Sequence, residues 1–184
     1  MLALQTLVSR EINAQHAAVI SVSNLNAGSG SFNVLPEVAT LSGTVRTFEP
    51  SVRDLIEARM FHLCAGLETA TGIQMHLKYT RLTDVVHNHP KCTETSRIAA
   101  KAVVGSERVE DFAPIMGGED FGGFLKSRPG AFVIVGQREN SEPSSPHNYG
   151  LHSPRYDFND AIIPLVVRYL AEIAENCLSG SDHA

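Results

Sequence analysis

Three short stretches of this chain hold the side chains with the means to bind or react. In Gly150-Leu151-His152-Ser153-Pro154-Arg155-Tyr156-Asp157-Phe158-Asn159-Asp160, a single histidine stands in a loop just ahead of a helical pattern. Pro154 restricts the backbone of Ser153, while Asp157, Asn159 and Asp160 offer acceptors for an imidazole N–H or a cap for the helix. A neutral imidazole fixed there is a good metal ligand; a surface histidine beside a helix cap is the alternative. Met116-Gly117-Gly118-Glu119-Asp120-Phe121 places two residues without side chains ahead of two carboxylates. Gly117 and Gly118 would let the backbone approach a ligand closely, and the same stretch also reads as a helix start whose acids complement the macrodipole. Arg46 offers a planar fork that matches a carboxylate, and Asn33 an amide donor, which together would clamp an anion. They lie 46 − 33 = 13 positions apart, so on an uninterrupted strand they face opposite sides, unless Gly43, whose lack of a side chain marks a bulge or a close approach, is a bulge that brings them together. A strand arginine and a turn asparagine, both merely exposed, remain the other reading.

The remaining candidates are weaker. His62, His76, His87, His89, His147 and His183 show no H-E-x-x-H spacing, and His87 and His89, two apart, fit a pre-proline polar loop as well as a chelating pair. There is no G-x-S-x-G elbow, P-loop or dinucleotide fingerprint. Cys64, Cys92 and Cys177 are odd in number and outside any C-x-x-C pattern, which argues for reduced thiols rather than a disulfide framework or a thiolate metal site.

The elements that must carry these residues follow from periodicity. Leu4, Leu7, Val8 and Ile12 share one face of a helix that begins at Met1 without a capping residue, as though its start were missing. Val19, Ile20 and Val22 predict a strand over 16–25, the run from Asn26 to Gly30 a turn, and Phe32 to Phe48 a second extended run. Leu55, Ile56, Met60, Leu63 and Leu67 predict a helix from Pro50-Ser51 to Gly72, followed by a strand over 73–82. The order α-β-β-α-β is a split β-α-β sandwich without its opening strand. After Asp84 come a helix over about 93–104, a short helix near 121–126, an apolar strand over 131–135, a long loop and a final helix over about 160–177. One short strand among helices cannot make a sheet, so this second part needs strands from elsewhere. The fold class expected is α/β: an α+β lid of split β-α-β type over 1–83 and an incomplete α/β layer over 84–184.

Composition sets limits on the partners. A formal net charge of −5 and the lack of a basic stripe argue against nucleic acid. No apolar run approaches membrane-spanning length and the N-terminus carries no leader pattern, so a cytoplasmic protein without a membrane partner is expected.

Leu4-Gln5-Thr6-Leu7-Val8-Ser9-Arg10, Asn33-Val34-Leu35-Pro36, Gly43-Thr44-Val45-Arg46-Thr47-Phe48, Met116 through Phe121 and Leu151-His152 through Asp160, in that order, resemble one group. It is the bimetal amidohydrolase and aminoacylase family that includes hippurate hydrolases, N-acetyl-amino-acid deacetylases and auxin-conjugate hydrolases. The resemblance implies a two-domain metallohydrolase whose inserted lid also makes a homodimer, and whose complete site binds two divalent ions (zinc, manganese, cobalt or nickel). It implies that His152 is the last metal ligand and that Asn33 and Arg46 bind the carboxylate of an N-acyl amino acid or small peptide. Gly117 and Gly118 would line the pocket.

The family's Cys-Gly-His-Asp-x-His segment, its Glu-Glu pair and a further ligand histidine do not occur here. The first glutamate of that pair is the general base, and the oxyanion-stabilising lid histidine also belongs to the missing part. No residue of this chain is therefore expected to be catalytic. The chain is expected to be the C-terminal portion of such an enzyme, beginning inside the first lid helix, unable to bind its metals fully and inactive alone. The alternative is a non-catalytic dimerisation or carboxylate-binding module left from a truncated hydrolase, and a split gene product that folds only partly is a third reading.

Overall fold

The computed structural model describes residues 1–28, 30–139 and 142–179. Helix and strand are mixed, and the chain divides into two compact units: Met1–Val85 with Ile115–Glu119, and Val86–Pro114 with Asp120–Ala184.

In the first unit, α1 (Leu2–Thr6) runs into one π-helical turn, Leu7–Glu11, in which Ile12 N–H donates to the Leu7 carbonyl at 3.2 Å. The hairpin follows as β1 (Ala18–Ala27) and β2 (Ala39–Thr47), antiparallel, and then α2 (Pro50–Thr71). Pro50 suits the first turn of α2, where its missing N–H costs nothing, and Gly72 ends the helix in the left-handed conformation at φ 74°. Leu7, Ile20, Val52 and Ile56 form the buried core, with Leu4, Val8, Ile12, Ala18, Val45, Met60 and Leu63 packed around them. Val52, Ile56, Met60 and Leu63 recur at helical spacing, so one face of α2 covers the inner face of the hairpin.

The irregularity in the hairpin lies on β1, between Val22 and Asn24, rather than on β2. Gly43 instead serves a close approach: a Cβ there would stand 2.0 Å from the Ser21 carbonyl oxygen. The extended run after the turn enters the ladder only at Ala39, so Asn33 lies outside the strand and strand parity does not govern its position relative to Arg46. Ser29, in the turn, lies outside the described residues.

The strand expected over 73–82 does not form a ladder; among the described residues the only sheet is the pair β1–β2. The segment keeps an alternating pattern, with Met75, Leu77 and Tyr79 half-buried between exposed neighbours, but side chains of α2 hold it instead of a neighbouring strand. Met75 N–H donates to the Glu68 carboxylate at 2.6 Å, Arg81 Nη1 lies 2.7 Å from Asp54 and its other nitrogens engage Glu57, and Arg53 donates to the Thr83 carbonyl at 3.2 Å. Burial, with Glu57 close by, raises the Tyr79 hydroxyl pKa above its ordinary value.

The second unit is helical: α3 (Pro90–Val104), α4 (Phe121–Leu125) and α5 (Ile163–Leu178). α3 starts at Pro90, earlier than periodicity indicates, because a proline again occupies the first helical position. Small residues allow α3 and α5 to pack: Ala99 is wholly buried, and the Ser96 hydroxyl meets the Tyr169 hydroxyl. The apolar run 131–135 forms no ladder among the described residues. Asn88 takes the place of a strand by donating to the Phe132 carbonyl at 2.9 Å and accepting its N–H at 2.8 Å. No helix among the described residues is long and apolar enough to cross a membrane, and the three cysteines are free thiols.

The close approach at Gly43 yields a test. Gly43→Ala forces β1 and β2 apart, because the obstacle is backbone and cannot swing aside; a loss of about 1–3 kcal/mol is expected. A thermal melting curve indistinguishable from that of the native chain would show that the hairpin does not depend on this contact.

Candidate functional site

His152 sits in a loop made of two successive tight turns. The first is closed by Ser153 N–H donating to the Gly150 carbonyl at 3.2 Å, which makes His152 its third residue; the second, Ser153 to Tyr156, is closed by Tyr156 N–H donating to the Ser153 carbonyl at 3.1 Å. Pro154 stands second in that turn, the position for which its fixed φ is suited. In the first turn the third residue takes φ 71°, and His152 is the only non-glycine with positive φ among the described residues. Histidine adopts this conformation less readily than glycine, at a cost of roughly 1 kcal/mol, and backbone of this kind persists where its surroundings over-determine it. The imidazole is exposed.

The loop also contains a helix cap. The Asn159 carboxamide oxygen accepts the Ala161 N–H at 3.1 Å and starts the 3-10 turn Asp160–Ile162 that leads into α5. Ahead of the loop, Ser145 is buried, its hydroxyl donating to Glu139 at 2.9 Å, and Asn148 binds Glu139 from both ends of its amide: its Oδ1 accepts the Glu139 N–H at 2.9 Å and its Nδ2 donates to the Glu139 carbonyl at 2.9 Å. Gln137 binds several points of the same loop. These polar anchors carry no periodic pattern; their one trace in the sequence is a run of amide and hydroxyl side chains straight after an apolar segment.

Of the residues proposed to contact substrate, the structure brings two together within the first unit. Arg46 lies on β2 opposite Val19, half-buried and in no ion pair among the described residues. Gly118 lies against it: a Cβ at Gly118 would stand 3.4 Å from Arg46 Nη1. Gly117 faces the Ile115 side chain, 3.5 Å from a Cβ built on it. Asn33 is exposed in the turn before β2 and makes no hydrogen bond among the described residues. The acids after the glycines do not open the helix in the manner of a cap: α4 begins at Phe121, and Asp120, at its N-cap position, makes no capping bond.

His87 and His89 flank Asn88 at the mouth of an open hollow of about 310 Å³, also lined by Lys126 and Arg128. Cationic neighbours suit a polar loop better than a cation site. His183 lies outside the described residues. Among the described residues, no three His, Cys, Asp or Glu side chains come together in a group able to hold a metal ion.

A model of the peptidase family M20/M25/M40 matches residues 5–176 of the chain. Hippurate hydrolase of Campylobacter jejuni is 30% identical over 175 residues, covering 95% of this chain and 43% of that protein. N-acetyl-L-cysteine deacetylase of Bacillus subtilis is 30% identical over 185 residues, covering 100% of this chain and 42% of that protein. A crystal structure of a dinuclear metal-binding peptidase of the M20 family from Bacillus subtilis superposes with a TM-score of 0.71 at 27% identity, covering 97% of this chain and 45% of that one. The chain thus spans less than half the length of the relatives that it matches.

The left-handed backbone at His152 separates it from an ordinary surface histidine. His152→Gly is expected to leave the urea midpoint nearly unchanged, since relief of strain offsets the added freedom of the unfolded chain, whereas His152→Val costs about 1–3 kcal/mol. Equal midpoints for the two variants would rule out the turn as described.

Proposed function

The chain belongs to the peptidase family M20/M25/M40, and from that premise we propose that it is part of a metal-dependent amidohydrolase that cleaves the amide bond of N-acyl amino acids or small peptides. The observation that carries the substrate class is the meeting of Arg46 and Gly118. A half-buried guanidinium without an anionic partner, bordered by a residue with no side chain, leaves its fork open to a carboxylate, and such charge-assisted pairs are directional and strong. Arg46 would hold the α-carboxylate of the substrate, Asn33 would add an amide donor, and Gly117 and Gly118 would let the substrate lie close to backbone.

His152 is proposed as one metal ligand of the whole enzyme. The described residues do not fit a metal centre by themselves, since one imidazole supplies a single bond where a catalytic metal takes three or more from protein. In a complete enzyme the metal supplies Lewis acidity and an activated water. The residues of this chain contribute binding and orientation: Arg46 fixes one end of the substrate so that its amide is presented in a single pose. The isolated chain, which spans 43% of the hippurate hydrolase it resembles, is therefore proposed to be inactive.

A second reading, a dimerising lid, draws support from the hairpin. Both β1 and β2 keep an outer edge without a strand partner among the described residues, and such edges pair readily with another chain. Sedimentation of the 184-residue chain as a monomer at high concentration would remove this reading.

Two outcomes test the main proposal. With zinc, manganese, cobalt or nickel added, the isolated chain is expected to hydrolyse no hippurate; turnover would show that the chain is sufficient. Hippurate is nevertheless expected to shift the amide resonances of Arg46 and Gly118, and Arg46→Ala to weaken that binding by about 1.5–3 kcal/mol. Shifts confined to the second unit would sink the carboxylate clamp.

A further inference from the structure

Gln137 follows the apolar run 131–135 and is half-buried, and every hydrogen bond its side chain makes ends in the stretch 147–159 that surrounds His152. Its Nε2 donates to the Asp157 carbonyl at 3.2 Å and to the His147 carbonyl at 3.4 Å. Its Oε1 accepts the Tyr156 hydroxyl and the Asn159 N–H, each at 3.3 Å. The backbone contributes as well: Asn159 Nδ2 donates to the Gln137 carbonyl at 3.1 Å. His147 Nδ1 lies 3.2 Å from the same Asp157 carbonyl oxygen. One amide thus joins the entry to the loop, at His147, to its exit, at Tyr156, Asp157 and Asn159. Between those points lie both tight turns and the left-handed backbone of His152.

We propose that Gln137 is the positioning residue of the His152 loop, fixing the two ends of the loop so that the turn between them holds the imidazole in one place. The proposal rests on the reading of His152 as a metal ligand for its purpose, though not for its geometry. A loop tied at one end would let the first turn relax to negative φ, which an ordinary residue prefers. Tied at both ends by one planar amide, whose Nε2 reaches His147 and Asp157 while its Oε1 holds Tyr156 and Asn159, it has no such freedom. A glutamine is needed because two donors and an acceptor must leave a single group: glutamate lacks the donors and methionine lacks all three.

The test is made on the 184-residue chain without ligands, by hydrogen exchange read by mass spectrometry. Gln137→Met is expected to speed exchange over residues 147–159 by about tenfold or more while leaving α3 and α5 unchanged. Tyr156→Phe, which removes one hydroxyl and little else, should give a smaller rise. The double variant should be no faster than Gln137→Met alone, because both changes remove the same bond. A spectroscopic signature accompanies this: the strong intraresidue HN–Hα cross-peak that φ 71° gives His152 should be lost in Gln137→Met while the amides of α3 and α5 keep their positions. Gln137→Glu, which keeps the acceptor and loses the donors, should fall between. Exchange that rises equally in α3 and α5 would make Gln137 a general stabilising residue, and unchanged exchange over 147–159 would make it idle; either result overturns the proposal. The ligand reading fails separately, if a longer polypeptide containing this chain keeps its metal content after His152→Ala.

Discussion

Extended backbone has donors and acceptors along both edges, and outside a sheet those groups need other partners. Among the described residues only β1 and β2 satisfy one another. The remaining extended runs are held by side chains that imitate a strand. Glu68 on α2 takes the N–H of Met75, and Asn88 pairs with both backbone groups of Phe132. Each clamp secures one or two residues, whereas a ladder would secure the whole run, so both segments keep their alternating or apolar patterns without forming strands. The positions of Arg46 and His152 inherit this economy: the first stands on the β1–β2 ladder, the second on a loop fixed by an amide and two turns.

Apolar exposure shows the same constraint in another form. Phe132, Val133, Ile134 and Val135 are all exposed, and Ile163, Val167 and Leu170 form a bare stripe on α5 at roughly half their full exposure. α5 therefore has two apolar faces, one packed on α3 and one open. A helix that is apolar on two sides is suited to an interior position. Less than half the length of the relatives reported above is matched by this chain, and an exposed apolar helix face beside an apolar run outside any ladder would suit one side of an α/β layer.

Most helices were legible in the sequence because their signals are local. Pro50 and Gly72 bracket α2, and the stripe Leu4, Leu7, Val8 and Ile12 contributes to the core as its spacing indicates. The strands expected at 131–135 and over 73–82 do not form among the described residues, since a strand becomes a ladder only where a neighbour exists, and periodicity says nothing about neighbours. The role of Gly43 was half legible: the close approach is there, and the bulge lies on the facing strand at Ser23. Asn33 and Arg46 could not be related by counting positions, because the chain between them leaves the extended state before Ala39. Gln137 carried no periodic signal, for its partners lie 10 to 22 residues away in a loop without a repeat.

The energies at His152 explain why the loop needs several anchors rather than one. A left-handed non-glycine costs roughly 1–2 kcal/mol, while a single hydrogen bond contributes only about 0.5–1.5 kcal/mol net. One tie would therefore barely balance the strained turn, and the imidazole would spend much of its time elsewhere. The bonds from Gln137 to both sides of the turn, with the Asn159 cap that starts the helical exit, exceed that cost by enough to leave a single arrangement. For the ligand role proposed for His152, the imidazole must be held to within a fraction of an ångström. An exposed histidine could satisfy that demand only if its backbone, rather than its side-chain packing, were fixed, and the turns around His152 fix it in that way.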